Sequence, residues 1–234
     1  MFKQLSLIFI LGLGAVSTGL AQPDVDQILK QVRLVAVAQE GKLDGKLRSG
    51  RERMPVTMFL KGDNIQYHLG QGGEKVVYQL TLGANNQKLQ LFDGQAWKPL
   101  PKNRYGVEIG KTNLTYEDLS LRFLYWPNGK IDEEDNIQGI ACNRILLRNP
   151  DGNGKYASVL LWVGKKNAAL MRIEGFDKKN QPLKRFSVAK VMKFQGGYFV
   201  ESMRVEPLLP NGRVDGVPSY IEFEKPEVER RRPQ

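Results

Sequence analysis

The chain has 234 residues, 41% of them apolar, and carries 35 lysines and arginines against 25 acids, a formal charge of +10. One cysteine excludes an intramolecular disulfide, and one histidine excludes both an ordinary Ser-His-Asp centre with a histidine to spare and a histidine-rich metal site. The basic excess is spread along turns and alternating strand positions, which argues against a nucleic-acid face. It leaves solubility and attraction to anionic lipid head groups or an acidic partner.

Residues 1–21 read MFKQLSLIFILGLGAVSTGLA, with Lys3 in front, an apolar run from Leu5 to Val16 and small residues ending at Ala21. This is the layout of a cleavable signal peptide, and the run is too short and too glycine-rich to anchor the chain in a bilayer. Cleavage after Ala21 leaves 34 basic against 25 acidic side chains. The expectation is an exported chain, soluble in the periplasm, with residues 22–226 as a single domain and 227–234, which include Arg230-Arg231-Arg232, as a basic solvated tail.

Asp24, with Gln27 three residues on, predicts a helix start, and Val25, Ile28, Leu29, Val32, Val35 and Ala36 give that helix one apolar face. Short strands follow at 43–49, 55–61, 64–70, 75–83 and 87–92, separated by turns such as KGDN, GQGGE and GANNQ. The segment TNLTYEDLSLRFLYWPN then predicts a second helix, capped by Thr115 with Asp118 completing the box and stopped by Pro127. Leu119, Phe123 and Trp126, with Leu121, Leu124 and Tyr125, make it apolar nearly all round, so it is either a core helix or a plug or lid over a cavity. Strands resume at 142–148, 156–163, 169–176, 183–194, 198–206 and 218–224.

Between these elements, KIDEEDN (Lys130–Asn136) reads as a solvated loop and DGNG (Asp151–Gly154) as a tight turn that lacks the closing glutamate of a calcium loop. Cys142 reads as a small buried hydrophobe, and His68 as a surface residue. With no convergent catalytic set, no metal-ligand spacing and no phosphate loop, the chain is expected to be no enzyme and to need no cofactor or metal.

The strands alternate. Tyr67, Tyr78, Leu80, Leu91, Ile145, Leu147, Met171, Ile173, Phe186 and Val188 are expected to face one common interior, opposite Gln66, Gln79, Arg144 and Arg172. A single antiparallel sheet with one apolar face, partly covered by two helices, leaves an apolar groove.

The order of a signal peptide, an amphipathic helix, KLDGKLR, the pair PVTMFLKGDNIQY, the TYEDLSLRFLYW helix and then CNRILLRNP through GGYFVESMRV resembles the LolA-like outer-membrane lipoprotein-sorting proteins. The resemblance runs from Gln27 to Phe223, with its most specific part at 142–206; Gly164 stands where that family commonly has an acid. It implies an α+β chain, mainly β, whose antiparallel sheet forms an incomplete, half-open barrel capped by helices. It also implies a monomeric periplasmic carrier of lipoprotein acyl chains or lipid, moving cargo from an inner-membrane donor to an outer-membrane acceptor, with Leu119, Phe123 and Trp126 on the lid or plug helix. The alternative is a sensor or interaction module of the same fold that docks a protein partner.

Overall fold

The computed structural model describes residues 24–37, 40–70, 75–194 and 197–225. The signal peptide expected at 1–21, residues 71–74 of the expected GQGGE turn and the tail expected at 227–234 lie outside the described residues. Helix α1 (Val25–Val37) is followed by β1 (Gly41–Ser49), β2 (Glu52–Lys61), β3 (Asn64–Leu69), β4 (Val76–Leu82), β5 (Gln87–Phe92) and the short β6 (Trp97–Pro99). After a linking segment that includes α2 (Tyr116–Ser120) come β7 (Lys130–Ile137), β8 (Ile140–Arg148), β9 (Ser158–Gly164), β10 (Leu170–Phe176), β11 (Pro182–Phe194), β12 (Gly197–Pro207) and β13 (Ser219–Phe223).

Among the described residues thirteen strands form one sheet, in the order β6-β5-β4-β3-β2-β1-β13-β12-β11-β10-β9-β8-β7. Two antiparallel meanders, β1–β6 and β7–β13, are joined side by side through the β1–β13 pair, in the register Gly45↔Phe223 to Ser49↔Ser219. The sheet is therefore open, with β6 at one edge and β7 at the other. This topology dictates where the linking segment goes. Residues 100–129 leave one edge strand and enter the strand at the opposite edge, so they must cross the sheet, and they cross it on the apolar face. Leu100, Ile109, Leu114, Leu119, Phe123, Leu124 and Trp126 are all buried there.

The strand alternation holds as expected over most of the sheet. Tyr67↔Tyr78↔Leu91 and Ile65↔Leu80↔Leu89 lie in register in one half, and Ile145↔Leu161↔Ile173↔Phe186↔Val205 in the other. These rows, with Leu29 and Val32 of α1, make one continuous core. Such burial at about 25 cal/mol per Å² is the main stabilising term in a chain without disulfides. Among the described residues no helix is long and apolar enough to cross a membrane.

Three expectations are corrected. First, the single helix expected up to Pro127 is broken: α2 ends at Leu121, which is left-handed (φ 48°), and a 3-10 turn continues over Arg122–Tyr125. The capping box of Thr115 and Asp118 is present as read. Second, Lys130–Asn136 is no loop but most of edge strand β7, paired to β8 from Lys130↔Leu146 to Ile137↔Ile140. Arg144 draws in Asp132 and Glu133, Lys165 pairs with Glu134, and the Trp162 indole N–H donates to Asp135 at 2.7 Å. The charges that made the stretch look like a loop belong instead to a sheet edge, where they discourage further strand pairing.

Third, Met171 and Val188 do not join the main core. They pack with Ile137, Cys142 and Trp162 in a separate small cluster. Trp162 alternates with Leu161 and Val163, so this cluster lies on the outer face of the sheet. The cause is local: a bulge between Leu170 and Arg172 takes Met171 out of the alternation, and Val188 stands beside another irregularity at Val188/Lys190.

Candidate functional site

The inner face is the candidate site. Of the ten residues expected to line it, Tyr78, Leu80, Ile145, Leu147, Ile173 and Phe186 are fully buried in the main core, while Tyr67 and Leu91 are half-buried against it. Their outward neighbours behave as the alternation requires. Gln66 donates to Gln79 at 3.5 Å, and the guanidinium groups of Arg144 and Arg172 lie over the outer face of the Trp162 ring, at 5.8 and 5.4 Å. His68 sits with these outward residues, bonded to Gln66 at 2.9 Å and 4.9 Å from the Phe59 ring. Partial burial, with Lys75 adding to it, holds its imidazole below the ordinary histidine value.

Two covers lie on this face and are held in different ways. The first is α1. It buries Leu29 and Val32, leaves Leu34 and Val35 exposed, and is tied by a hydrogen bond from Arg33 Nη1 to the Leu124 carbonyl at 2.6 Å, the same guanidinium stacking 4.7 Å from the Tyr125 ring. Beside its first turns a cavity of about 320 Å³ is lined by Asp24, Gln27, Ile28, Gln31, Asn143 and Lys165. The helix is thus not sealed to the sheet along its whole length.

The second cover is the plug, residues 115–126, which carries a buried charge cluster under its apolar surface. Asp118 accepts from Lys184 Nζ at 2.7 Å, from the Tyr156 hydroxyl at 2.7 Å and from the Thr115 backbone N–H at 2.7 Å. Glu117, wholly buried, accepts from the Lys155 N–H at 2.7 Å and faces Arg122 Nε at 3.4 Å. Arg122 Nη2 donates to Asn149 Oδ1 at 3.1 Å, Asp151 Oδ1 at 3.0 Å and the Asn153 carbonyl at 2.8 Å.

The helix break follows from this cluster. Residues five apart on a regular α-helix point about 140° away from one another, so Glu117 and Arg122 could not meet across an unbroken one. The left-handed Leu121 turns the chain so that they do. Ser120 helps, donating to the Glu117 carbonyl at 2.8 Å and accepting from the Arg122 N–H at 3.3 Å. Two glycines are required by the packing: a Cβ on Gly154, at φ +86°, would lie 2.2 Å from Glu117 Oε1, and one on Gly175 would lie 2.3 Å from the Tyr156 ring. The DGNG stretch is not the tight turn expected of it but part of the longer loop 149–157 between β8 and β9, which the Asn149 and Asp151 side chains wind around the Arg122 guanidinium.

Electrostatics follow burial. Desolvation pushes the Glu117 carboxyl above its ordinary value, against the Lys155 N–H and the Arg122 charge, which act the other way. Burial, with Tyr116 beside it at a ring distance of 4.8 Å, pushes the Tyr78 phenol up. Among the described residues no group of three or more His, Cys, Asp or Glu is placed to hold a metal ion. The Arg122 cluster was not found in the sequence. Its available signal was an acid pair and an arginine set inside an otherwise apolar segment, where charge is kept only if paired.

A second cavity, of about 590 Å³, opens between the β1–β2 end and the turn at 110–112, over Leu47, Met54 and Pro55, with Arg53, Lys111 and Glu52 at its rim. Both cavities are rimmed by polar groups. The apolar interior between them is filled by the chain's own side chains.

An open antiparallel sheet with its apolar face crossed by helices defines the class: this is the LolA-like fold. Crystal structures of three proteins are similar to it. A DUF1329 family protein from Desulfovibrio piger shares 17% identity over 86% of this chain and 91% of its own, with a TM-score of 0.62. A domain designated an outer membrane lipoprotein-sorting protein from Vibrio parahaemolyticus shares 14% over 86% and 92%, with a TM-score of 0.63. A LolA superfamily protein from Nitrosomonas europaea shares 14% over 87% and 93%, with a TM-score of 0.62. Residues 95–230, more than half of the chain, match the profile of a family described as "-like: Uncharacterized protein", and the chain belongs to that family. No curated protein matches the chain.

Proposed function

We propose that the protein is an exported, non-catalytic carrier that holds acyl chains of lipids or lipoproteins between the inner sheet face and α1. It would take them in the periplasm from an inner-membrane donor and yield them to an outer-membrane acceptor. The observation that carries this reading is the pairing of a mainly apolar sheet face with a cover, α1, seated by the buried Leu29 and Val32, the partly buried Val25 and Ile28, and the Arg33 hydrogen bond. The signal-like residues 1–21 and the LolA-like fold support the same reading.

The energetics suit reversible capture. Uncovering Leu29 and Val32, with the partly buried Val25 and Ile28, costs about 5–9 kcal/mol, while about twelve methylenes buried in their place return about 10 kcal/mol before the chain is ordered. The surplus is a few kcal/mol, enough to hold cargo and small enough to release it. Tyr67, Tyr78, Leu80, Leu91, Ile145, Leu147, Ile173 and Phe186 are the proposed lining, and Met171 and Val188 would contribute only from the outer side. In this reading Leu119, Phe123 and Trp126 form a fixed plug at the back of the site, and α1 is the part that gives way.

The test is to purify the processed protein from a bacterial periplasm, extract it with organic solvent and weigh what comes off, then to titrate it with a fluorescent long-chain fatty acid. Bound lipid and saturable probe binding are expected. A second reading is favoured by the filled interior: a module of the same fold that docks a protein partner and uses its inner face only as core. Neither lipid nor probe bound, together with a co-purifying protein, would replace the first reading with the second.

A further inference from the structure

The β11–β12 hairpin outgrows its neighbours. β10 pairs with β11 only as far as Ser187, and β13 pairs with β12 only from Val205 back to Ser202. Beyond those points the two strands pair only with each other, through Val191↔Val200 and Lys193↔Tyr198. Among the described residues the result is a two-stranded arm flanked by no further strand, with the Gln138 amide donating to the Val188 carbonyl at its base at 3.2 Å. Its inner face is anchored: Met192 is buried in the main core, and the Phe199 ring meets that of Phe223 at 5.8 Å. Its outer face is different. Val191 is 52% exposed and Tyr198 68% exposed, and they are diagonal neighbours on that face. Lys190 and Lys193, both exposed, stand among them, and neither is paired with a carboxylate among the described residues.

An exposed valine and tyrosine beside two exposed lysines that have no carboxylate partner among the described residues, on a ribbon that runs past its neighbouring strands, have a chemistry in common with one kind of surface. Tyrosine places its ring at an apolar boundary with its hydroxyl in water, and lysine lays its methylenes along apolar surface with its charge outward. Each lysine near an anionic bilayer gains about 1 kcal/mol, and the chain as a whole is basic, at +10. We propose that the outer face of the β11–β12 arm is a docking surface for an anionic lipid bilayer, with Val191 and Tyr198 seated at the head-group boundary and Lys190 and Lys193 on the lipid phosphates. The surface lies outside the acyl site and does not depend on that site's being correct.

Flotation of the full chain with vesicles of pure phosphatidylglycerol or of pure phosphatidylcholine tests this. Binding to the first at low salt and not to the second is expected. The double variant Lys190→Ala/Lys193→Ala should weaken it about thirtyfold, as two lost lysine contacts require. Val191→Asp/Tyr198→Asp should abolish it, with circular dichroism and fatty-acid binding unchanged in both variants. Equal flotation of wild type and variants, or none by the wild type, overturns the proposal. So does a wild-type dimer that fails to float and that the aspartate pair splits, since the arm would then serve a second copy of the chain. Loss of fatty-acid binding in all proteins with flotation retained would sink the carrier reading and leave this one standing.

Discussion

Helix α1 and the plug at 115–126 cover the same sheet face, yet they are fastened by opposite means. α1 rests on Leu29 and Val32, on the partly buried Val25 and Ile28, and on Arg33 over Leu124 and Tyr125, attachments that are mostly apolar contact. The plug hides two acids and an arginine, each held by directional polar contacts to fixed partners. Apolar contact is non-directional and lost in proportion to area, whereas a buried charge loses its whole compensation when a partner leaves. The same face can therefore have a cover that comes away and a filler that stays.

The comparison breaks most readily at Lys184. Replacing Lys184 with methionine strands Asp118, and the loss should be about 3–5 kcal/mol in urea unfolding. Adding Asp118→Leu should restore only part of it, because the stranded charge is gone but the Tyr156 hydroxyl and the Thr115 N–H lose their acceptor. Next in size, Leu29→Ala should cost about 2 kcal/mol. The loss should appear as faster amide exchange across Val25–Val37, with plug amides slowed only by global unfolding. Equal acceleration in both segments would erase the distinction drawn here. Arg33→Ala should cost about 1 kcal/mol and act on α1 exchange alone.

The smallest effect is on pH dependence. Because burial raises the Glu117 carboxyl, the folded chain holds that proton more tightly than the unfolded chain does. Its contribution to stability is therefore full below the ordinary glutamate value and is lost as pH rises through the raised one. Glu117→Gln should flatten the rise in urea midpoint that the wild type gains on mild acidification. An identical profile in wild type and variant would show that the Glu117 proton is held no more tightly folded than unfolded.

Much of the sheet was legible because period-two alternation is a local property. Leu80, Ile145 and Phe186 each face the core that their own neighbours in sequence indicate. What escaped was set by distant partners. β7 is too charged to read as a strand until Arg144 and Trp162 are beside it. Leu121 is a sound helix former, yet it is left-handed where the chain brings Glu117 to Arg122. Met171 obeys the alternation in sequence and leaves it in space, because a bulge adds one residue to its strand and no composition announces that.

Cys142 lies wholly buried in the outer cluster, under Ile137 and beside Trp162, and burial pushes its thiol up. Since the thiolate is the reactive form, a water-borne thiol reagent can modify this side chain only after the β7–β8 margin has peeled from the sheet. The protein thus contains a single natural timer. The rate at which one thiol is consumed, with no label introduced, counts how often that margin opens, and because β8 carries Ile145 and Leu147 on its other face, that rate should fall when the inner face is occupied.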